Sequence, residues 1–238
     1  MTTKTPRNKR RFRPGFGASV CTLVGLALLI GLGTWQLQRL AWKRALLSEI
    51  AARTTAAPVA LPAVIADPED WRYRRVTISG HFDHAHEMLV AAGRGWQVIT
   101  PLLRDDAPAV LVVRGFVPEA KRSPDARPMG QIAGQVSVTG IVRLAPSRKG
   151  WFTPENVPAE GRWYWCDLDA MARAAGLVEV LPVLVEAEAS APGGWPQGGV
   201  TRLDIPNRHL QYALTWYALA LVLLVIYILA GVRRAKER

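Results

Sequence analysis

Cysteine and histidine are scarce in this chain. Two of its 238 residues are cysteine and four are histidine. Cys21 lies inside a hydrophobic run and Cys166 stands alone in the rest of the chain, so a disulfide within one domain is excluded. No Cys-x-x-Cys pair is present, which argues against a thiol oxidoreductase or a thiolate copper carrier. The fold must therefore depend on a packed hydrophobic core.

The sequence also lacks the motifs of common enzyme classes. It has no Gly-x-Ser-x-Gly elbow, no P-loop and no Gly-x-Gly-x-x-Gly fingerprint. Two acidic pairs, Asp105-Asp106 and Asp167-x-Asp169, have the positions of a turn and a helix cap rather than those of an acid–base pair. We therefore predict that the protein is not an enzyme.

Charged residues are absent from two long hydrophobic runs, residues 15–35 and 210–232. Each run is long enough to span a bilayer. Most of the net charge of +11 lies outside them, with +6 in residues 1–14 and +3 in residues 233–238. The intervening residues 36–209 carry 20 basic and 18 acidic groups. This balance is that of an ordinary protein surface and argues against nucleic-acid binding.

Basic tails at both ends determine the predicted topology. The positive-inside rule places both termini in the cytoplasm and the central domain across the membrane. The first run ends at Trp35 without a small-x-small cleavage site, so an uncleaved signal anchor is favoured over a cleaved signal peptide. No Ser-rich, Arg-rich amphipathic presequence precedes it, which favours a bacterial plasma (inner) membrane over an organelle. The central domain is then periplasmic.

Between the two runs the pattern changes to short β-rich stretches. Turns too short for helical crossovers separate them, which predicts a mostly antiparallel β domain, an α+β barrel or sandwich. One short helix is predicted over residues 167–175, and a long surface loop over residues 118–134. The predicted strands are residues 73–79, 87–91, 96–103, 109–116, 135–144 and 182–189.

The fold class is thus a membrane protein in which two transmembrane helices flank this β domain. Helical spacing continues beyond the first span to about Arg53, so a helical extension precedes the linker. The predicted segments are a basic cytoplasmic tail (1–14), transmembrane helix 1 (15–35), the extension and linker (36–70), the periplasmic domain with its return loop (71–209), transmembrane helix 2 (210–232) and a cytoplasmic tail (233–238).

Three of the four histidines are clustered within six residues. His84 and His86 would share one face if they lay on a strand, and could then chelate a metal with His81 nearby. The stretch has the composition of a turn between strands, and no thiolate accompanies it. A solvated turn is therefore favoured over a metal site.

His209 stands at the start of the second span. Helical spacing places His209, Tyr212 and Trp216 on one face, and the small Ala213 between them leaves room for a flat ligand or a neighbouring helix. The alternative is that the aromatic residues only anchor the helix at the membrane interface and that the histidine binds nothing. Helical spacing leaves both possibilities open.

A haem would suit this position. Its macrocycle could lie against the aromatic residues in the acyl region, with an axial bond from the neutral imidazole of His209. Its propionates would then lie at the headgroup level, close to Arg208 and Arg39.

The same two membrane boundaries resemble signatures of the Surfeit locus protein 1 family. Residues 33–43 read Gly-Thr-Trp-Gln-Leu-Gln-Arg-Leu-Ala-Trp-Lys, and residues 207–216 read Asn-Arg-His-Leu-Gln-Tyr-Ala-Leu-Thr-Trp. Internal blocks at residues 100–102, 111–118 and 163–167 also resemble the family, so the similarity covers about residues 14–232. Arg208 and Phe116 depart from the pattern, where asparagine and tryptophan are expected.

The resemblance implies an assembly factor for haem–copper cytochrome c oxidase. It implies that the chain binds haem a as transient cargo, with His209 as the iron ligand and Trp216 close by, and assists haem insertion into subunit I. The implied partners are subunit I, the lipid bilayer and possible contacts with the haem a synthesis enzymes. The alternative is a structural scaffold that holds subunit I and never touches haem. Small residues at Gly17, Cys21 and Gly25 would permit close helix packing in either case.

Overall fold

The computed structural model describes residues 15–199 and 207–234. The predicted basic tail (1–14), the end of the return loop (200–206) and the last residues (235–238) lie outside this range. The elements in chain order are α1 (Phe16–Thr55), β1 (Val59–Ala60), α2 (Pro68–Trp71), β2 (Arg75–Phe82), β3 (Met88–Ala92), β4 (Gly95–Arg104), β5 (Ala107–Pro118), β6 (Gln135–Arg143), α3 (Leu168–Ala174), β7 (Val180–Ala187) and α4 (His209–Arg234).

The described residues divide into two compact units, one with residues 15–48 and 207–234 and the other with residues 49–199. The first unit contains α4 and most of α1. Both helices carry apolar windows long enough to cross a membrane, with mean hydropathies of 2.1 and 2.4. Only 11% of each window is buried, as expected for helices whose side chains face lipid. The prediction of two transmembrane helices that flank a β domain is confirmed.

The α1 helix continues well past its hydrophobic run. It has 40 residues and ends at Thr55, two residues beyond the position expected from the sequence. At 1.5 Å per residue it is about 60 Å long, roughly twice the thickness of a bilayer's hydrocarbon core. The chain therefore leaves the membrane-spanning segment as a helix.

The second unit is a closed five-stranded barrel. The strands β2, β6, β7, β5 and β4 hydrogen-bond in that order, and β4 pairs back with β2 through Phe82 and Leu102. The two remaining strands, β3 and β1, extend the sheet from β4 and β2. Closure leaves none of the five barrel strands with an unpaired edge.

Alternating and fully apolar strand patterns explain the core of the barrel. One cluster of buried side chains fills it. The cluster includes Val76, Leu102, Val112 and Val142, each 0% exposed. A second cluster lies beneath α3 and contains Met171 and Trp163. The helix starts where predicted, since the side chain of Asp167 accepts a hydrogen bond from the backbone N–H of Ala170.

Two details of the domain go beyond the sequence expectation. The strands β5 and β7 pair in parallel. The long connection between them, residues 119–179, contains β6 and α3 and makes this pairing possible. The segment 118–134 is a mostly exposed loop, as predicted, but it is not irregular throughout. Three short 3₁₀ turns run through it, and Arg127 and Gly130 are buried. A buried ion pair between Arg127 and Glu87 ties this segment to the sheet.

Candidate functional site

The two membrane helices lie antiparallel and are joined by polar contacts along their length. Ser19 Oγ and Tyr227 OH are 2.8 Å apart near one end. Nearer the other end, Thr34 Oγ1 and Tyr217 OH are 3.1 Å apart. Such contacts satisfy polar groups that the bilayer could not hydrogen-bond, and they fix which faces of α1 and α4 meet.

Glycines of α1 allow the close approach of α4. A Cβ atom at Gly33 would lie 2.8 Å from the ring of Tyr217, and one at Gly25 would lie 2.9 Å from Leu223. Of the three small residues expected from the sequence to permit close helix packing, one packs against α4. Gly25 faces the partner helix, whereas Gly17 has no neighbour within 4 Å and Cys21 is exposed.

His209 is the first residue of α4 and contacts α1 directly. Its Nδ1 lies 2.7 Å from Oε1 of Gln36. A carbonyl oxygen can only accept a hydrogen bond, so Nδ1 carries the proton and donates it. In the tautomer that carries its one proton on Nδ1, the lone pair is on Nε2. This is the arrangement in which a second residue orients a histidine for metal ligation.

The residues around His209 have different exposures. Ala213 is 1% exposed and lies on the face of α4 that meets α1, so the neighbouring helix fills the room next to it. Trp216 is half-buried, whereas Tyr212 is 52% exposed. Arg208 is also exposed. The predicted site residues therefore lie along one edge of the α1–α4 pair, where the rings of Tyr212 and Trp216 are at least partly exposed.

Gln36 is the residue of this cluster that the sequence did not single out. It belongs to the first family-like signature, yet 173 residues separate it from His209. A glutamine directly after an apolar span could have indicated a polar contact, but only the pairing of α1 with α4 shows that His209 is its partner. Arg39 follows one turn later on α1 and is exposed, with its guanidinium carbon 5.0 Å from the centre of the Trp42 ring.

The other three histidines do not form a metal site. Residues His84 to His86 form a 3₁₀ turn instead of a strand, and no group of three or more metal-ligating side chains occurs among the described residues. His86 Nδ1 is 2.6 Å from Asp83, and His81 is exposed at the end of β2. His84 Nε2 donates to the carbonyl of Ile132 at 3.0 Å.

His84 borders a cluster of buried charges in the domain. The carboxylate of Glu87 accepts hydrogen bonds from Arg127 and lies 3.7 Å from Nη1 of Arg114. All three side chains are at most 5% exposed. Burial lowers the pKa of Arg114 to about 10, although the charge of Glu87 opposes this shift. Carbonyl oxygens of Lys121 and Gly130 accept further hydrogen bonds from the two guanidinium groups, so the cluster is structural.

Cys166 is a free thiol, as is Cys21. Burial raises the pKa of Cys166 to about 11, so the reactive thiolate form is disfavoured. This position therefore has the environment of a structural cysteine rather than a redox one.

Comparison with known proteins identifies the family of this chain. The SURF1 family model matches residues 23–221. The chain belongs to the SURF1 family. Surfeit locus protein 1 of Mus musculus is 40% identical over 230 residues, which cover 87% of this chain and 74% of the mouse protein.

Two further relatives agree with this assignment. Surfeit locus protein 1 of Homo sapiens is 39% identical over 213 residues, 80% of this chain and 69% of the human protein. A SURF1-like protein of Monosiga brevicollis is 39% identical over 216 residues, 83% of this chain and 81% of that protein. These relatives are eukaryotic, so the expected bacterial plasma membrane remains a prediction. The family match includes both His209 and Gln36.

Proposed function

We propose that this SURF1 family member is an assembly factor for haem–copper cytochrome c oxidase that binds haem a and assists its insertion into subunit I. The observation that carries the proposal is the hydrogen bond between Gln36 and His209, because it leaves Nε2 of a membrane-interface histidine free to ligate iron. The family membership supports the role in oxidase assembly. Haem a would be transient cargo of the protein and not a resident cofactor.

The surroundings of His209 fit an amphipathic ligand. Trp216 and Tyr212 offer aromatic surface toward the acyl region, while Arg208 and Arg39 offer positive charge for propionates. A single histidine ligand with apolar contacts holds haem less firmly than two strong axial bonds would. Moderate retention is what a donor of haem requires, since cargo held too tightly could not be transferred.

The proposed function includes a location and partners. The chain would reside in the bacterial plasma membrane with both termini in the cytoplasm, and its β domain would lie in the periplasm with oxidase subunit I as the partner. Contacts with the haem a synthesis enzymes would supply the cargo. The role requires binding and transfer and needs no nucleophile or acid–base pair.

Purification after co-expression with haem a synthesis tests haem binding. We expect a Soret band in the wild-type protein and its loss or spectral shift in His209→Ala, with the protein still inserted in the membrane. Trp216→Leu is expected to weaken haem retention while the iron ligand stays. The triple variant His81→Ala, His84→Ala and His86→Ala serves as the control and should keep the wild-type spectrum. Loss of haem in this folded control would contradict the assignment to His209.

A purely structural scaffold for subunit I is the other candidate function. The antiparallel helix pair, with glycines at its contact, could grip another membrane protein without haem. A wild-type protein that co-purifies with subunit I but never carries haem would favour this scaffold.

A further inference from the structure

The most exposed aromatic residues of the domain lie side by side in a turn. Trp151 and Phe152 are 99% and 102% exposed. The backbone N–H of Thr153 donates to the carbonyl of Gly150 at 3.1 Å, so the two aromatic residues occupy the two central positions of a β-turn. Glycine, proline and short polar residues usually fill these positions. Two bare aromatic rings there need a partner, because exposing them to water is unfavourable.

The turn is held in shape by its neighbours rather than by its aromatic side chains. Lys149 Nζ lies 2.5 Å from Glu155 Oε1, which joins the two sides of the loop below the tip. Pro146 and Pro154 restrict the backbone on either side. The rings thus project from a closed turn and make no contribution to the hydrophobic core.

Basic residues accompany the aromatic tip. Arg148 is exposed and supplies positive charge beside the aromatic surface, whereas the charge of Lys149 is balanced by Glu155. Tryptophan and phenylalanine beside arginine and lysine are typical of segments that insert at the interface of an anionic bilayer. The chain also carries two helices of membrane-spanning length and hydropathy, which would tether its domain to a bilayer.

From these observations we infer that the loop of residues 147–153, here called the aromatic loop, inserts into the headgroup region of an anionic lipid bilayer. Trp151 and Phe152 enter the boundary with the acyl chains, and Arg148 contacts lipid phosphates. The loop thereby adds a third membrane attachment to the two helices and restricts the orientation of the domain. This inference does not depend on haem binding.

Site-specific fluorescence in nanodiscs tests the inference. The full-length protein, with Cys21→Ser and Cys166→Ser, receives one new cysteine for an environment-sensitive NBD label. Phe152→Cys labels the aromatic loop, and Val178→Cys is the matched control, since Val178 is 99% exposed but lies in the turn after α3. The nanodiscs contain phosphatidylcholine and phosphatidylglycerol, and nitroxide groups on the lipids quench a label that reaches them.

We expect nitroxide lipids to quench the label at position 152 at least about twofold, and acrylamide in the water to quench it less than the label at 178. Removal of phosphatidylglycerol, or Arg148→Glu, should reduce the lipid quenching at 152. Equal exposure of both labels to acrylamide, without lipid quenching, would overturn the inference. Protection from acrylamide without lipid quenching would overturn it in favour of a protein partner at this loop.

Discussion

At the scale of single residues, Gln36 gives the most specific prediction. Gln36→Leu removes the acceptor of the His209 Nδ1 proton, so the ring loses its orientation while Nε2 can still ligate. Loss of such a second residue typically costs about 10- to 100-fold in metal affinity. If the proposed haem site is correct, haem titration should show weaker binding with a similar absorption spectrum. The matched control is Gln38→Leu, because Gln38 is an exposed glutamine of the same helix.

The outcomes of this experiment distinguish an incorrect role for Gln36 from an incorrect haem site. Unchanged haem affinity in Gln36→Leu, with haem lost in His209→Ala, would reject Gln36 as the positioning residue and leave His209 as the ligand. Absence of haem from the wild-type protein would reject the proposed site itself. Equal losses in Gln36→Leu and Gln38→Leu would point to a general effect of removing polar groups from α1.

Glu87 is predicted to be the most sensitive acidic residue of the domain. Its carboxylate is buried between two guanidinium groups, and Glu87→Gln would leave both without a counter-charge. Breaking a buried pair typically costs about 3–5 kcal/mol of unfolding free energy. Thermal unfolding of the full-length protein in detergent should show a large drop in melting temperature. The control Glu69→Gln breaks an exposed ion pair with Arg72 and should change stability by less than about 1 kcal/mol.

His84 predicts a specific pH dependence of stability. Burial lowers its pKa below the usual 6.5, and the charge of Arg114 acts in the same direction. The geometry suits the neutral ring, since Nε2 donates to the carbonyl of Ile132 and Nδ1 lies 3.4 Å from the guanidinium of Arg114, which can donate to it. As pH falls below 6.5 the unfolded chain takes up the proton first, so the folded state loses stability.

Comparison with His84→Gln isolates this effect. The melting temperature of both proteins is measured above and below pH 6.5. On acidification, the melting temperature of the wild type is expected to fall more than that of the variant. Parallel curves for the two proteins would show that His84 does not contribute to the pH dependence.

At the scale of elements, the contact between α1 and α4 depends on Gly33. A valine there would drive its side chain into the ring of Tyr217, whereas Gly31 on the same helix has no neighbour within 4 Å. Gly33→Val should therefore separate the helices, and Gly31→Val should not. The measurement is thermal unfolding in detergent, with a lower melting temperature expected for Gly33→Val only. Equal behaviour of the two variants would contradict the helix contact.

The strands could be predicted from the sequence because each one carries its own signal. Alternating apolar residues and turn residues identified all six longer strands, with boundaries that differ by a few residues. The barrel closure through β2 and β4 was not predictable in the same way, because pairing partners far apart in sequence leave no local pattern. The predicted surface loop over residues 118–134 is mostly exposed, but the burial of Arg127 within it could not be predicted, for a related reason. Its composition is polar and rich in proline, but Glu87, 40 residues away from Arg127, neutralises the charge it buries.

The candidate site was predictable to a similar extent. The position of His209 at the start of an apolar helix and the family-like signature both indicated it. Helical spacing could not show whether a flat ligand or a neighbouring helix lies beside Ala213, because both require a small residue there. The pairing of α1 with α4 shows that α1 lies next to Ala213 and that Gln36 contacts His209, while haem binding beside Tyr212 and Trp216 stays a proposal.

At the scale of the whole molecule, charge asymmetry and the two spans make a joint prediction about topology. Nine of the eleven net positive charges lie in the two terminal tails. Both tails should therefore stay in the cytoplasm, and the β domain should lie on the opposite, outer side of the membrane. The proposed handover of haem on the outer side requires this orientation, since His209 precedes the second span.

A compartment-specific reporter tests this topology. The exposed turn at Gly161 is the best insertion point for the reporter, because the longer loop over residues 118–134 buries Arg127 and Gly130. An alkaline phosphatase that is active only in the periplasm should work when inserted there and fail when fused after Arg238. Because the two fusions share the same chain and differ only in the side of the membrane they report, each controls for the expression of the other. The opposite pattern would place the β domain in the cytoplasm and would remove the physical basis for haem handover on the periplasmic side.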